Sequence, residues 1–314
     1  MKRKSGSVWV VLAAMIGNGL IAITKFIAVG ITGSSAMLSE AVHSVVDTGN
    51  QGLLLWGMNR ASRPADERHP FGYGMELYFW AFVVAILIFA IGAGVSLYEG
   101  IHKLLEPKPV LHPIVNYVVL GTAMIFEAFA WIVAFREFRR NKKKTQGYFE
   151  AVQSSKDPTV FTVLFEDSAA MLGLICAFIG VFLTEHLADP RFDALASIGI
   201  SIILAGTAAV LAYESKGLLI GEAASDEVRV GIRRILAEES GIIGINEILT
   251  MHLGPQDVLL TVSLDFSDEM SSADVEEKIT QLETIIRSKF PEIARIFIEA
   301  QSQFGHLRNV RRFR

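Results

Sequence analysis

A single cysteine, Cys176, occurs in 314 residues. The chain therefore forms no intrachain disulfide and no thiolate metal cluster, and its cysteine usage carries no information about redox compartment. Cys176 lies inside an apolar run, where packing is its expected role. No G-x-x-x-x-G-K-[ST] run is present, so no ATP site of that kind is implied, and no HExxH helix marks a zinc hydrolase. Charge is nearly absent from several long stretches. With 51% apolar residues and a mean hydropathy of +0.41, the chain is too apolar for an ordinary soluble protein and reads as a membrane protein. The net charge of -4 says little, because the acids concentrate in the last third and the bases in particular loops.

A hydrocarbon core about 30 Å thick takes about 20 helical residues to cross. Stretches at 8–30, 36–58, 77–99, 114–136, 160–184 and 194–214 meet that length, which predicts six transmembrane helices. The start "MKRKSGSVWVVLAAMIGNGL" has the basic-then-apolar order of a signal peptide. Its run is long and no small-residue cleavage site ends it, so it is read as a retained first helix. Lys2, Arg3, Lys4, Arg60, Arg63, Arg68 and the cluster Arg136, Arg139, Arg140, Lys142, Lys143, Lys144 and Lys156 fall on one side of this arrangement. Only Lys103, Lys108 and Arg191 fall on the other. By the positive-inside rule both termini are expected on the cytoplasmic side. The basic leader lacks the Arg- and Ser-rich composition of a transit segment, which favours a bacterial inner membrane.

Beyond residue 216 the pattern becomes that of a soluble α+β domain. "SDEVRVGIRRILAEES" carries an apolar stripe at Val228, Ile232, Ile235 and Leu236, with Ser225 as its expected helix cap. "INEILTMHLG" and "DVLLTVSLDF" read as strands joined by a turn, "SSADVEEKITQLETIIRSKF" as a second amphipathic helix, and "EIARIFIEAQ" as a last strand. The expected division is a six-helix domain at 1–216, a small helix-strand-strand-helix-strand domain at 217–302 and a basic tail at 303–314. The second domain is small enough that dimerisation would help to stabilise it, and the tail is expected to be disordered.

The second and fifth apolar stretches are the least apolar and should lie inside the bundle. His43 and Asp47, four residues apart, share a helix face with Ser39 and Asn50 and form a two-point chelating edge. Imidazole and carboxylate together suit zinc, with manganese or iron favoured as oxygens accumulate. Glu166 and Asp167 in the fifth stretch supply further carboxylates, although neighbours about 100° apart on a helix do not both face one ion. The bland alternative is that His43 and Asp47 tie helices together as structural polar contacts. Against it, each intramembrane acid costs about 2.5–3.5 kcal/mol on insertion scales. Lys25 and Glu127 also lie within apolar runs; they are expected to pair and neutralise each other, with proton carriage by Glu127 as the alternative. Asp66, Glu67 and His69 cluster in the loop "ADERHPFGYGMEL", where such charges are ordinarily just solvated.

"SSAMLSEAVHSVVDTGNQ" followed by "RPADERHPFGYGMEL" resembles the second helix and following loop of the cation diffusion facilitator family, in its branch related to zinc transporter nine. The resemblance continues through "FEDSAAMLGLICAFIG", "DALASIGISIILAG" and the C-terminal domain. It implies a homodimeric, proton-coupled exporter of divalent metal, most simply Zn²⁺, with Mn²⁺, Fe²⁺ and Co²⁺ open. It implies no permanently bound cofactor, no nucleic-acid partner and no enzyme activity. The family's central transport site places ligands at His43, Asp47 and Asp167; its usual fourth ligand falls at Val163, which cannot bind metal, and Glu166 is the candidate replacement. A second family site in the loop corresponds to Asp66, with His69 nearby, but Tyr73 stands where a histidine is usual and a phenol is a poor ligand near neutral pH. Within the C-terminal fold His252 is the only histidine and His306 lies in the tail, so no histidine-rich zinc cluster is expected there. Two rival readings are a transport-inactive scaffold acting through the C-terminal domain, and an intramembrane metallohydrolase.

Overall fold

The computed structural model describes residues 4–141, 147 and 156–313. Lys142, Lys143 and Lys144 of the basic loop lie outside them. The chain divides into two compact units, Met1–Arg60 with Glu76–Lys216, and Ala61–Met75 with Gly217–Arg314.

The first unit is built of long helices: α1 (Lys4–Thr32), α2 (Ser35–Ala61), α3 (Glu76–Leu105), α4 (Pro113–Asn141), α5 (Pro158–Leu187) and α6 (Arg191–Leu219). Among the described residues α3 to α6 are each long and apolar enough to cross a membrane, and Asn18–Thr32 of α1 is a shorter apolar helix. At 27 residues, α2 reaches about 40 Å, and it misses the apolar criterion because of its polar face. Ser35, Ser39, Glu40, His43, Ser44, Asp47 and Asn50 on that face are all buried. The six-helix reading therefore holds, and the least apolar helix is turned inward as its composition requires.

Two polar devices hold these helices in register. Midway along α3, Ile88–Ala93 winds as a π-helix, which disturbs the i to i−4 ladder and leaves carbonyls open to other donors. Ser201 Oγ donates to Ala93 O at 2.9 Å, and Ser197 Oγ donates to Ser96 O at 2.8 Å. Ser197 Oγ also lies 2.5 Å from Ser39 Oγ, so α6 bonds both α2 and α3. Gly100 lets α3 approach α6 closely: a Cβ there would meet Ile198 Cγ1 at 2.7 Å and Ala194 O at 3.0 Å.

The second device lies at the α1–α2 turn, where Gly33 has φ +63°. Asp193, fully buried, accepts from Ser34 Oγ at 2.5 Å, Ser35 N at 2.7 Å and Lys103 Nζ at 2.7 Å. Lys103 Nζ also donates to Gly33 O at 2.7 Å. The sequence pattern treats Lys103 as a loop charge, but it is a buried cation tying the start of α2 to α3 and α6.

In the second unit α7 (Asp226–Glu238), β1 (Ile242–Gly254), β2 (Asp257–Phe266), α8 (Ser272–Lys289) and β3 (Ile293–Ala300) follow in the expected order. The sheet order is β1-β2-β3, antiparallel between the first pair and parallel between the second. Alternate residues of β2, Val258, Leu260, Val262 and Leu264, turn one face to the core formed with Ile232 and Leu236 of α7 and Leu282 and Ile286 of α8. Ser225 holds the N-cap position of α7 without a side-chain cap bond, whereas Ser271 and Asp274 form a capping box on α8. Ser271 holds the Asp274 carboxyl below its ordinary range, through its side chain first and its backbone N–H second.

The tail departs from expectation. Instead of disorder, Gln303–Phe313 forms a helix, α9. Its first turn is fixed by Gln303 N donating to Asp265 Oδ2 at 2.9 Å and Gly305 N to Ser302 Oγ at 3.2 Å, so capping supplies what composition did not suggest.

The segment Ala61–Met75 also belongs to this unit. Arg295 on β3 donates to Pro70 O at 2.9 Å and its guanidinium sits 5.2 Å from the centroid of Phe71. Gly74 lies against Leu253 O so closely that a side chain would collide.

Candidate metal site

The polar face of α2 repeats every three or four residues, at Glu40, His43, Asp47 and Asn50, which places these groups one turn apart along one side of the helix. His43 is 1% exposed, and its Nε2 lies 3.4 Å from Asp47 Oδ2. That is an ion-pair separation, longer than an ordinary hydrogen bond. Both ring nitrogens of His43, Asp47 Oδ1, Asn50 Oδ1 and Gln51 Oε1 are buried without hydrogen-bond partners among the described residues. Each such atom costs about 1–3 kcal/mol. A row of them on one helix is poorly explained as polar contacts between helices, and well explained as a surface that receives a ligand.

The opposing wall is α5. Its N-terminus is set by Asp157, whose side chain accepts from Thr159 N at 3.0 Å, followed by Pro158 at the first helical position. Of the two adjacent acids, Glu166 is the one that reaches α2: its Oε1 accepts from Asn50 Nδ2 at 2.8 Å, and both residues are buried. Asp167, next to it and about 100° around the helix, is partly exposed. The structure thus sets the polar face of α2 against Glu166 of α5 through Asn50. Among the described residues no three His, Cys, Asp or Glu side chains converge closely enough to hold one ion. In this conformation α2 presents His43 and Asp47 and α5 presents Glu166, without a closed shell among the described residues.

The expected pairing of Lys25 with Glu127 is replaced by another. Lys25, fully buried, donates to Glu40 Oε2 at 3.0 Å and to Ser44 Oγ at 2.8 Å. Glu40 is likewise fully buried, and among the described residues its Oε1 has no hydrogen-bond partner. It overlies Gly173 of α5, where any side chain would collide with the carboxylate. Glu40 fits no ligand position of the family pattern, yet its place three residues before His43 and seven before Asp47 sets it on the same helix face.

In the loop, Asp66 is already engaged. Its Oδ2 accepts from Tyr73 Oη at 2.7 Å, and its Oδ1 accepts from the backbone N–H groups of His69 at 2.7 Å and Arg68 at 3.0 Å. The His69 and Tyr73 rings lie 4.2 Å apart. The Tyr73 hydroxyl first, then the His69 and Arg68 amides, hold the Asp66 carboxyl below its ordinary range. A depressed carboxylate contributes loop stability above its ordinary pKa, and that contribution is lost as pH falls through the lowered value. Tyr73→Phe is expected to raise the Asp66 pKa toward the ordinary carboxylate range in a carboxyl-carbon NMR titration. An unchanged pKa would show that the phenol is not what holds it.

Residues 11–220 match the family model for the cation efflux transmembrane domain, and residues 224–301 match that for the cation efflux protein cytoplasmic domain. The human proton-coupled zinc antiporter SLC30A9, mitochondrial, is 32% identical over 293 residues, covering 92% of this chain and 52% of that protein. Metal tolerance protein C4 of Arabidopsis thaliana is 27% identical over 261 residues, 83% of this chain and 57% of the relative. The cation-efflux pump FieF of Cronobacter sakazakii is 28% identical over 281 residues, 89% and 88% of the two chains. The chain spans about half the length of the SLC30A9 relatives it matches.

Proposed function

Because this chain belongs to the cation efflux, or cation diffusion facilitator, family of membrane transporters, we propose that it exports divalent metal, zinc in the first place, in exchange for protons. The observation that carries this reading is the row of buried atoms without hydrogen-bond partners among the described residues on His43 and Asp47 of α2, the helix that Asn50 bonds to Glu166 of α5. An imidazole and carboxylates offer borderline and hard donors together, which suits Zn²⁺ while leaving Mn²⁺, Fe²⁺ and Co²⁺ as competitors. Metal binding requires His43 neutral and the carboxylates ionised, so loading displaces protons and reprotonation releases the ion. One metal and protons therefore compete for the same groups. Movement of α2 and α5 would close these groups around the ion and open them to the other side.

The match of residues 224–301 to the family's cytoplasmic domain supports assembly as a homodimer through that domain. The proposed location is a bacterial inner membrane, with the Lys- and Arg-rich loops on the cytoplasmic side.

Reconstitution into proteoliposomes tests the function. Zinc added outside is expected to drive metal uptake coupled to proton movement, and absence of flux for zinc, manganese, iron and cobalt alike would refute it. Exchanging the nitrogen ligand tests the metal assignment: His43→Asp is expected to shift preference from zinc toward manganese in competition binding on purified protein.

A further inference from the structure

The polar face of α2 continues past the metal edge toward the N-terminus of the helix. About one turn before His43 it carries Glu40, and Lys25 Nζ of α1 bridges the turn from Glu40 to Ser44. The ammonium donates to Glu40 Oε2 at 3.0 Å, to Ser44 Oγ at 2.8 Å and, at 3.5 Å, to Glu40 O. All three side chains are buried, Lys25 and Glu40 completely. At about 100° per residue, His43 and Ser44 flank the line from Glu40 to Asp47. A cation moving along this face from Asp47 toward the start of α2 therefore meets the turn on which the ammonium is anchored.

The same stretch meets α5 at two levels. Asn50 bonds Glu166 at 2.8 Å, and Glu40 Oε1 overlies Gly173, where a Cβ would collide with it. The two helices thus run antiparallel, and His43 and Asp47 lie between the two contacts. The first contact is a hydrogen bond. The second is a close approach only, because Oε1 is buried with no hydrogen-bond partner among the described residues. Parting α2 from α5 at Gly173 breaks no hydrogen bond, while the carboxylate stays held by Lys25.

We propose that Lys25, Glu40 and Gly173 form the outer gate of the transport path. They close the seam between α2 and α5 on the side of the metal edge that the positive-inside distribution places away from the cytoplasm. The assignment rests on the transport reading above and adds the barrier that alternating access requires. Glu40 fills the space left by the missing side chain of Gly173. The Lys25 ammonium, a positive charge in a low-dielectric interior, repels a divalent cation more strongly than it would in water. Pairing with Glu40 is what lets a buried ammonium persist there.

A thiol at the metal edge reads the gate without requiring transport. The full-length protein carrying Cys176→Ser and His43→Cys is reconstituted into vesicles and treated from the outer side with a membrane-impermeant cationic thiosulfonate. Adding Lys25→Met with Glu40→Gln, which strands neither charge, is expected to speed modification of the introduced thiol about tenfold. The rate from the cytoplasmic side is expected to stay the same. Equal outer rates with the pair intact and removed would overturn the gate, and so would equal acceleration from both sides, which is general loosening. If the charge-free protein melts lower, Gly173→Ala decides. Its Cβ crowds the end of the flexible carboxylate off the seam with both charges kept, and an outer rate unchanged from the intact gate would overturn the assignment. Zinc flux with His43 and Cys176 in place reads export separately. A protein whose thiol is shielded by the pair yet that moves no metal refutes export and leaves the closure standing.

Discussion

Asp47→Ala is expected to abolish zinc-driven proton exchange, lowering flux by about a hundredfold or more, while leaving the thermal stability of the detergent-solubilised protein unchanged or raised. The two halves of this expectation have the same cause. Asp47 is buried beside His43, and its Oδ1 has no hydrogen-bond partner among the described residues. Its removal relieves an unsatisfied buried acceptor, so the fold loses little. The proposed transport site loses the carboxylate that stands 3.4 Å from the imidazole of His43. If Asp47 served as polar glue between helices, alanine would lower the melting temperature and spare the flux. The opposite signs of the two readouts separate the cases.

Lys25→Met should have the largest effect on stability. It strands the Glu40 carboxylate, which is fully buried and whose ion pair is with Lys25. Breaking a buried pair by removing one partner costs about 3–5 kcal/mol, whereas replacing both partners is often near neutral. The single variant is therefore expected to unfold well below wild type, and Lys25→Met with Glu40→Gln to recover most of the difference. A single variant as stable as wild type would mean that Glu40 is protonated in the native protein and needs no counter-charge. The same double-variant comparison applies to Lys103 and Asp193, whose pair is also buried.

Periodicity in the sequence was sufficient to locate six spans, to turn the polar face of α2 inward and to order the elements of the C-terminal unit. It worked because each of these is a local property: a run length, a spacing of three or four, an alternation of two. Partner identity is not local. Lys103 and Asp193 are ninety residues apart, and nothing in the neighbourhood of either names the other. Lys25 was matched to the wrong acid for the same reason, since Glu127 and Glu40 are equally plausible until the helices are packed. The family pattern points to Asp167, and the side chain that bonds across to α2 is its neighbour Glu166. The difference is the rotation of α5 about its axis, which spacing within one helix does not encode. In the tail, basic composition points to disorder, whereas Ser302 and, from β2, Asp265 supply the acceptors that start its helix.

The π-helical turn at Ile88–Ala93 makes α3 two helices of different phase on one axis. Ser96, Gly100 and Lys103 all belong to the second phase, and each meets α6 or the Asp193 knot at its N-terminus. One residue advances a helix by about 100°. The extra residue of the wide turn is thus a rotational offset that keeps the second half of α3 facing α6, where an unbroken α-helix of the same sequence would have turned it aside. The offset is maintained by Ser201 and Ser197, whose hydroxyls bond the carbonyls of Ala93 and Ser96. Two serines on α6 therefore act as a vernier, setting the angle at which the far end of α3 presents its lysine.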